Sequence, residues 1–126
     1  MFYRLSERKN PLNRSESAKW YVTPVYAGTR TLEDVASEIT ERSSLTHGDV
    51  LSTLRNTMEV IPKFLKMGYI VDLGDLGRFR LIPSSEGVAT QNDFDVHKIK
   101  RLRMFFSPGK SIKKALADTQ YTTLDK

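Results

Sequence analysis

From residue 31 onward the apolar positions change period twice, and each change marks an element. Leu32, Val35, Ala36 and Ile39 recur at helical spacing within an arc of about 100°. Thr31 stands just ahead of them with Asp34 three residues on, a variant of the capping box, so a helix is predicted over 32–42. The segment SSLTHGD restarts a helix, with Thr46 as its cap and Asp49 in its first turn. That helix is predicted over 47–67, closing at Gly68. Val50, Leu51, Leu54, Met58, Ile61 and Leu65 form one stripe, and Val60, Phe64 and Met67 widen it to roughly 200° of the surface. One neighbouring helix does not cover so wide a stripe: a sheet or a second copy of the chain must. Pro62 is expected to kink this helix or disturb the turn before it.

The pattern then shortens. YIVDLGDLGRFRLI, residues 69–82, reads as two strands joined by a tight turn at Gly74 and Gly77. In the second of them Phe79 and Leu81 point one way, Arg78 and Arg80 the other. Residues 83–95 are polar and turn-rich, a loop or a projecting hairpin tip. A third strand is predicted over 96–106, leaving the core in its first half to become a solvated arm. Ile112, Ala115 and Leu116 mark a short closing helix. Ahead of all this, WYVTPVY (20–26) has strand-like composition, with Pro24 restricting it to an edge or an end. The polar stretch before it, with Asn10-Pro11, is expected to be a loop.

Charge sharpens this outline. The net charge is +5, unevenly spread. Residues 1–30 carry six Lys/Arg and two acids, residues 31–61 two and six, and residues 96–117 seven and none. The chain thus predicts one basic surface and one acidic helical region. Cations on a strand and at a helix start, anchored by Ile99, Leu102, Met104, Phe105 and Phe106, suit a phosphate backbone. A soluble edge strand that uses Lys and Arg to prevent pairing is the competing explanation.

With 126 residues, 39% of them apolar, the chain has the length of one domain with a modest core. No apolar run reaches the ~18 residues that span a bilayer. The first residues, MFYRLSERKNPLNR, lack a signal peptide's apolar centre, so a cytoplasmic protein is expected. The absence of cysteine removes disulfides and thiol chemistry. His47 and His97 have no partner spacing that implies a metal, no nucleotide-binding glycine motif occurs, and Glu33/Asp34 belong to a capped helix start. Neither catalysis, a cofactor nor a small-molecule substrate is expected. The GDLG turn differs from the RNA-clamping GXXG loop in lying between strand-like runs instead of helices.

The order of these elements, with LGDLGRFRL (73–81) and FFSPGKSIKKAL (105–116), resembles the bacterial histone-like family of HU and integration host factor. The family's G-x-G-x-F motif has one more residue between its glycines here, and its F-x-P-G-K segment is matched at Phe106–Lys110. The likeness covers about 31–117, and the preceding residues are similar to an extension in the Bacteroides group's variants. It implies an α+β fold: a helical hairpin base, a three-stranded antiparallel sheet with a β-ribbon arm, and a short C-terminal helix, in an intertwined homodimer. On this division 1–30 is a strand-containing extension over the sheet edge or the dimer core, 31–117 the DNA-binding domain and 118–126 a tail. The implied partner is double-stranded DNA, held by phosphate backbone and minor groove in the bacterial nucleoid. The implied contacts are Arg78, Arg80, Lys98, Lys100, Arg101, Arg103, Lys110, Lys113 and Lys114. The chain departs from the family at the arm tip, which carries Glu86, Asp93 and Asp95 instead of an Arg-Asn-Pro wedge, so strong bending is not carried over. Two other readings use the same residues: an assembly module that has lost DNA binding, and an RNA-binding protein.

Overall fold

Two threonines start the helices. In the computed structural model, which describes residues 1–125, the Thr31 hydroxyl accepts from the Asp34 N–H at 3.3 Å while the Thr31 N–H donates to the Asp34 carboxylate at 2.8 Å. Helix α1 (Leu32–Glu41) follows this closed capping box. The backbone N–H and then the hydroxyl of Thr31 hold the Asp34 carboxyl below its ordinary 3.8. A depressed folded value means a stabilising contribution that is complete above 3.8 and is lost as pH falls through the depressed value. Thr46 caps α2 (His47–Lys66), its hydroxyl accepting from the Asp49 N–H at 3.1 Å. Pro62, expected to disturb this helix, does not end it: α2 continues through it to Lys66.

The helices pack as a hairpin around Ala36 and Val50, both buried. At its surface Glu33 takes Arg55 at 3.7 Å and the His47 ring at 3.1 Å. Exposed pairs of this kind contribute at most about 1 kcal/mol, so apolar burial holds the hairpin.

Beyond α2 the chain forms β3 (Val71–Asp72), β4 (Gly77–Ser85), β5 (Ile99–Pro108) and helix α3 (Lys110–Asp118). The three strands make an antiparallel sheet in the order β3-β4-β5. Several boundaries differ from the sequence expectation. Pairing carries β4 on to Ser85, into the stretch expected as loop, and β5 on to Pro108. Tyr69 and Ile70 stay outside β3, because the chain is still unwinding from α2, with the Tyr69 N–H bonded back to the Phe64 carbonyl. Residues Val96–Lys98 form a single 3-10 turn, capped by the Asp95 side chain on the His97 N–H, so β5 starts at Ile99.

The N-terminal segment corrects the sequence reading more substantially. Where a loop was expected before residue 20, Phe2–Arg8 is a strand, β1, paired antiparallel with β2 (Lys19–Val25) over seven unbroken pairs. The expected C-terminal tail contributes β6 (Thr122–Thr123), parallel to β1, while its last residue, Lys126, lies outside the described residues. These strands form a second sheet, β2-β1-β6, separate from the first, so the segment does not pair along the edge of β3-β4-β5. Pro24 sits on the outer strand, where its missing N–H does no harm.

Very little of this is buried. Ala36, Val50 and Leu65 are the buried apolar side chains among the described residues. The chain exposes 11046 Å², against about 6,800 Å² for a compact monomer of its mass. Val60 and Phe64 on α2 and Met67 at its end stay exposed and line, with Ile70, Val71 and Leu73, an apolar cleft of about 760 Å³; Met58, also exposed, lies outside it. The sequence-predicted excess of apolar surface on α2 is therefore present, and neither sheet covers it. No helix among the described residues is long and apolar enough to cross a membrane. Since α1 starts on the Thr31 cap, Thr31→Ala is expected to lower stability by about 1 kcal/mol in urea unfolding.

Candidate nucleic-acid interface

Strand register decides which cations meet. In the β4–β5 ribbon Arg78 lies opposite Ser107, Arg80 opposite Phe105, Ile82 opposite Arg103 and Ser84 opposite Arg101. Residues directly opposite one another share a face, so Arg78, Arg80, Arg101 and Arg103 all project from the same side. The other side carries Phe79, Leu81, Leu102, Met104 and Phe106, with the Phe79 and Phe106 rings 4.9 Å apart. Arg80 lies over the Phe105 ring at 5.0 Å, a cation–π contact on the arginine face of the ribbon.

The remaining predicted residues divide. Arg78 is tied to Asp72 of β3 at 3.0 Å, and Lys100 to Glu86. Lys100 falls at the irregularity where the register shifts between Ser84 and Ser85, so it stands outside the arginine row. Lys98 lies in the 3-10 turn before β5, not on the strand, and is half-buried. Lys110, Lys113 and Lys114 are on α3, immediately beyond the end of β5. Arg80, Arg101, Arg103 and these three lysines have no acidic partner among the described residues. Two of the tip acids are occupied locally: Glu86 holds Lys100 and Asp95 caps the turn. No cluster of side chains among the described residues is arranged to hold a metal ion.

Over residues 1–123 the chain matches a family model, HU-HIG, described as an HU domain fused to a winged helix-turn-helix, an immunoglobulin or a glycine-rich motif. The chain belongs to the HU-HIG family. The match includes the N-terminal hairpin, so β1 and β2 lie within the region that defines the family. A crystal structure from Bacteroides vulgatus, described as a candidate bacterial DNA-binding protein, superposes with a TM-score of 0.63 over 98% of this chain and 48% of its own, at 17% identity. At that identity the likeness is one of fold. The chain spans about half the length of that structure. No curated protein matches the chain.

Within this HU-HIG chain the two motifs singled out in the sequence meet as one joint. Gly77, at φ +145°, pairs with Pro108, and a Cβ there would stand 2.4 Å from the Ser107 carbonyl oxygen and 2.6 Å from the Phe106 ring. Gly109 donates to the Leu76 carbonyl at 2.9 Å and the Ser111 N–H to the Asp75 carbonyl at 3.0 Å. A Cβ at Gly109 would lie 2.5 Å from that Asp75 oxygen. The GDLG turn thus seats the start of α3 and fixes the position of Lys110. Sequence reasoning did not reach the partners of Arg78 and Lys100, although Asp72, six residues before Arg78 across a hairpin turn, was a usable signal. Gly77→Ala combines a positive φ with a backbone clash, so a loss of roughly 1–3 kcal/mol is expected in denaturant unfolding.

Proposed function

We propose that this chain binds double-stranded DNA as a homodimer, with little sequence preference, in an architectural role on the bacterial nucleoid. The reading rests above all on four arginines from two strands on one face of a ribbon, three of them free of acidic partners among the described residues. Membership of the HU-HIG family and the fold shared with a candidate DNA-binding protein support it. Arg80, Arg101 and Arg103, with Lys110, Lys113 and Lys114, neutralise phosphates. Arg78 and Lys100 join them by exchanging exposed, weakly held acids for phosphate, and Lys98 contributes from the turn. No helix presents a cluster of Asn, Gln and Arg for the major groove, so the ribbons lie along the backbone and minor groove.

Dimerisation follows from the uncovered surface. The excess over a compact monomer is roughly 4,000 Å² per chain, more than the roughly 1,000–2,500 Å² that each chain contributes to an obligate interface, so a partner can cover part of it while the ribbons stay exposed. A second copy against the α2 cleft covers Met58, Phe64 and Met67 and sets two ribbons side by side as a saddle. Sedimentation is expected to give twice the chain's 14.4 kDa. Phe64→Glu, which places a charge in the cleft, is expected to lower that mass and the stability together.

With about six phosphates neutralised, log K for duplex binding falls against log[salt] with a slope of about −5 or steeper. A mobility-shift titration at several salt concentrations measures it, and a flat response removes the proposal. Charge reversal at Arg101 and Arg103 is expected to abolish duplex retention. Structured RNA in competition distinguishes duplex DNA from an RNA partner. An assembly module would survive the charge reversal with its partner binding intact.

A further inference from the structure

The N-terminal hairpin has two unlike faces. Its unbroken register puts Arg4, Arg8 and Lys19 on one side, together with Ser6, Tyr21 and Thr23 and, at the end far from the tip, Phe2 and Val25. The other side carries Tyr3, Leu5, Trp20, Val22 and Pro24, with Glu7 as its one charge. Trp20 is 63% exposed and Val22 61%, so the apolar side is uncovered by the chain itself. Seating that side against protein leaves the cationic side turned to solvent.

The tip between the strands is ordered by its own side chains. The Asn10 side-chain oxygen accepts from the Leu12 N–H at 3.0 Å, and the Asn13 oxygen from the Ser15 N–H at 3.2 Å. Both amides then donate to Glu16, Asn13 at 3.2 Å and Asn10 at 3.4 Å. This has two consequences. The one acid of the tip is engaged inside the loop, and none of Arg8, Lys9, Arg14 and Lys19 has an ion-pair partner among the described residues. The paired Asx turns also push Pro11 and Leu12 outward, leaving Leu12 95% exposed. A polar hollow of about 290 Å³, lined by Arg8, Lys9, Lys19 and Tyr21 among others, lies beneath the tip. An apolar side chain held out on a fixed turn, with cations on both flanks, has the composition of the wedges that minor-groove proteins set between base steps.

We infer that the β1–β2 hairpin is a second duplex-DNA ribbon: Arg4, Arg8 and Lys19 bind phosphates while Pro11 and Leu12 enter the minor groove. This inference rests on the DNA-binding reading above and extends it to residues with no role there. Charge selects the occupant. The hairpin, residues 1–25, carries five Lys/Arg and two acids, one of them spent on the loop, which suits a polyanion and disfavours a basic protein surface.

The chain has no cysteine, so Leu12→Cys gives a unique attachment point for an iron–EDTA cleavage reagent on the full-length protein. Strand scission in a minor-groove pattern is expected when the labelled protein is bound to duplex. In parallel, the triple variant R4Q/R8Q/K19Q, checked for unchanged circular dichroism, is expected to flatten the salt dependence by about 2–3 for each hairpin engaged, at 0.9 per phosphate. Absence of scission with an unchanged slope overturns the inference. If R101E/R103E still abolishes retention in that case, the main DNA-binding reading stands without it. Reaction of the Leu12 position with a second protomer instead of DNA also overturns it. Failure of the unmodified protein to bind duplex at any salt removes both.

Discussion

The controlling constraint is apolar surface that a single chain cannot cover. Its local structure is well specified: both long helices begin on threonine caps, and the strands register without ambiguity over most of their length. Tertiary burial is what is missing. Among the described residues three apolar side chains are buried, one in α1 and two in α2, while the second half of α2 presents a broad stripe to an open cleft. Isolated helices and two-stranded ribbons are marginal in water, because the entropy of ordering them exceeds what their own hydrogen bonds return. In the proposed dimer, folding is tied to association, and stability then depends on the chain's own concentration. The same arrangement frees the ribbons from core duty, since the core is made by the helices and whatever closes over them.

The joint between the GDLG turn and the PGK segment solves a different problem. A ribbon extended into solvent is held at one end only, and the lysines of α3 sit at that end. Two glycines let the backbones of the turn and the helix start approach to distances that exclude a Cβ. Two main-chain hydrogen bonds then lock them without using any side chain. The tilted Phe79–Phe106 pair lies directly beside this joint. Because the lock is made of backbone, the neighbouring side chains take no part in it: Lys110 is left unpaired among the described residues and Arg78 is left to pair with Asp72.

How much of this the sequence revealed follows from the range of the interactions involved. Caps and helical stripes are contacts within four residues, and Thr31, Asp34, Thr46 and the α2 stripe were all readable. So was the alternation that puts Arg78 and Arg80 on one side and Arg101 and Arg103 on one side. Whether those two sides coincide depends on register, a pairing between residues 17 to 29 apart, and a slip of one residue would have set the arginines of β5 on the face of Phe79. The first strand was missed for a related reason. FYRLSER alternates as a strand should, but its high charge and the Asn10-Pro11 turn after it read as loop, and its partners on either side come from residues 19–25 and 122–123. The tail strand β6, only two residues long, has no pattern of its own to read.

Placing four arginines on one face raises the question of self-repulsion, and the register answers it. No arginine of the ribbon faces another directly: Ser107, Phe105, Ile82 and Ser84 are the residues opposite. Like charges therefore meet along diagonals, at about 7–8 Å, or two residues apart on one strand, at about 6.6 Å, instead of about 5 Å. At that separation two solvated charges repel by about 0.6 kcal/mol in water, and less once salt screens them. Arg78, at the anchored end, is further neutralised by Asp72, and Arg80 rests over the Phe105 ring. The ribbon thus concentrates positive potential on one surface while keeping each pairwise penalty near thermal energy. What remains is a surface whose charge is tolerable when it stands alone in water and is relieved only by an anion long enough to touch the whole row.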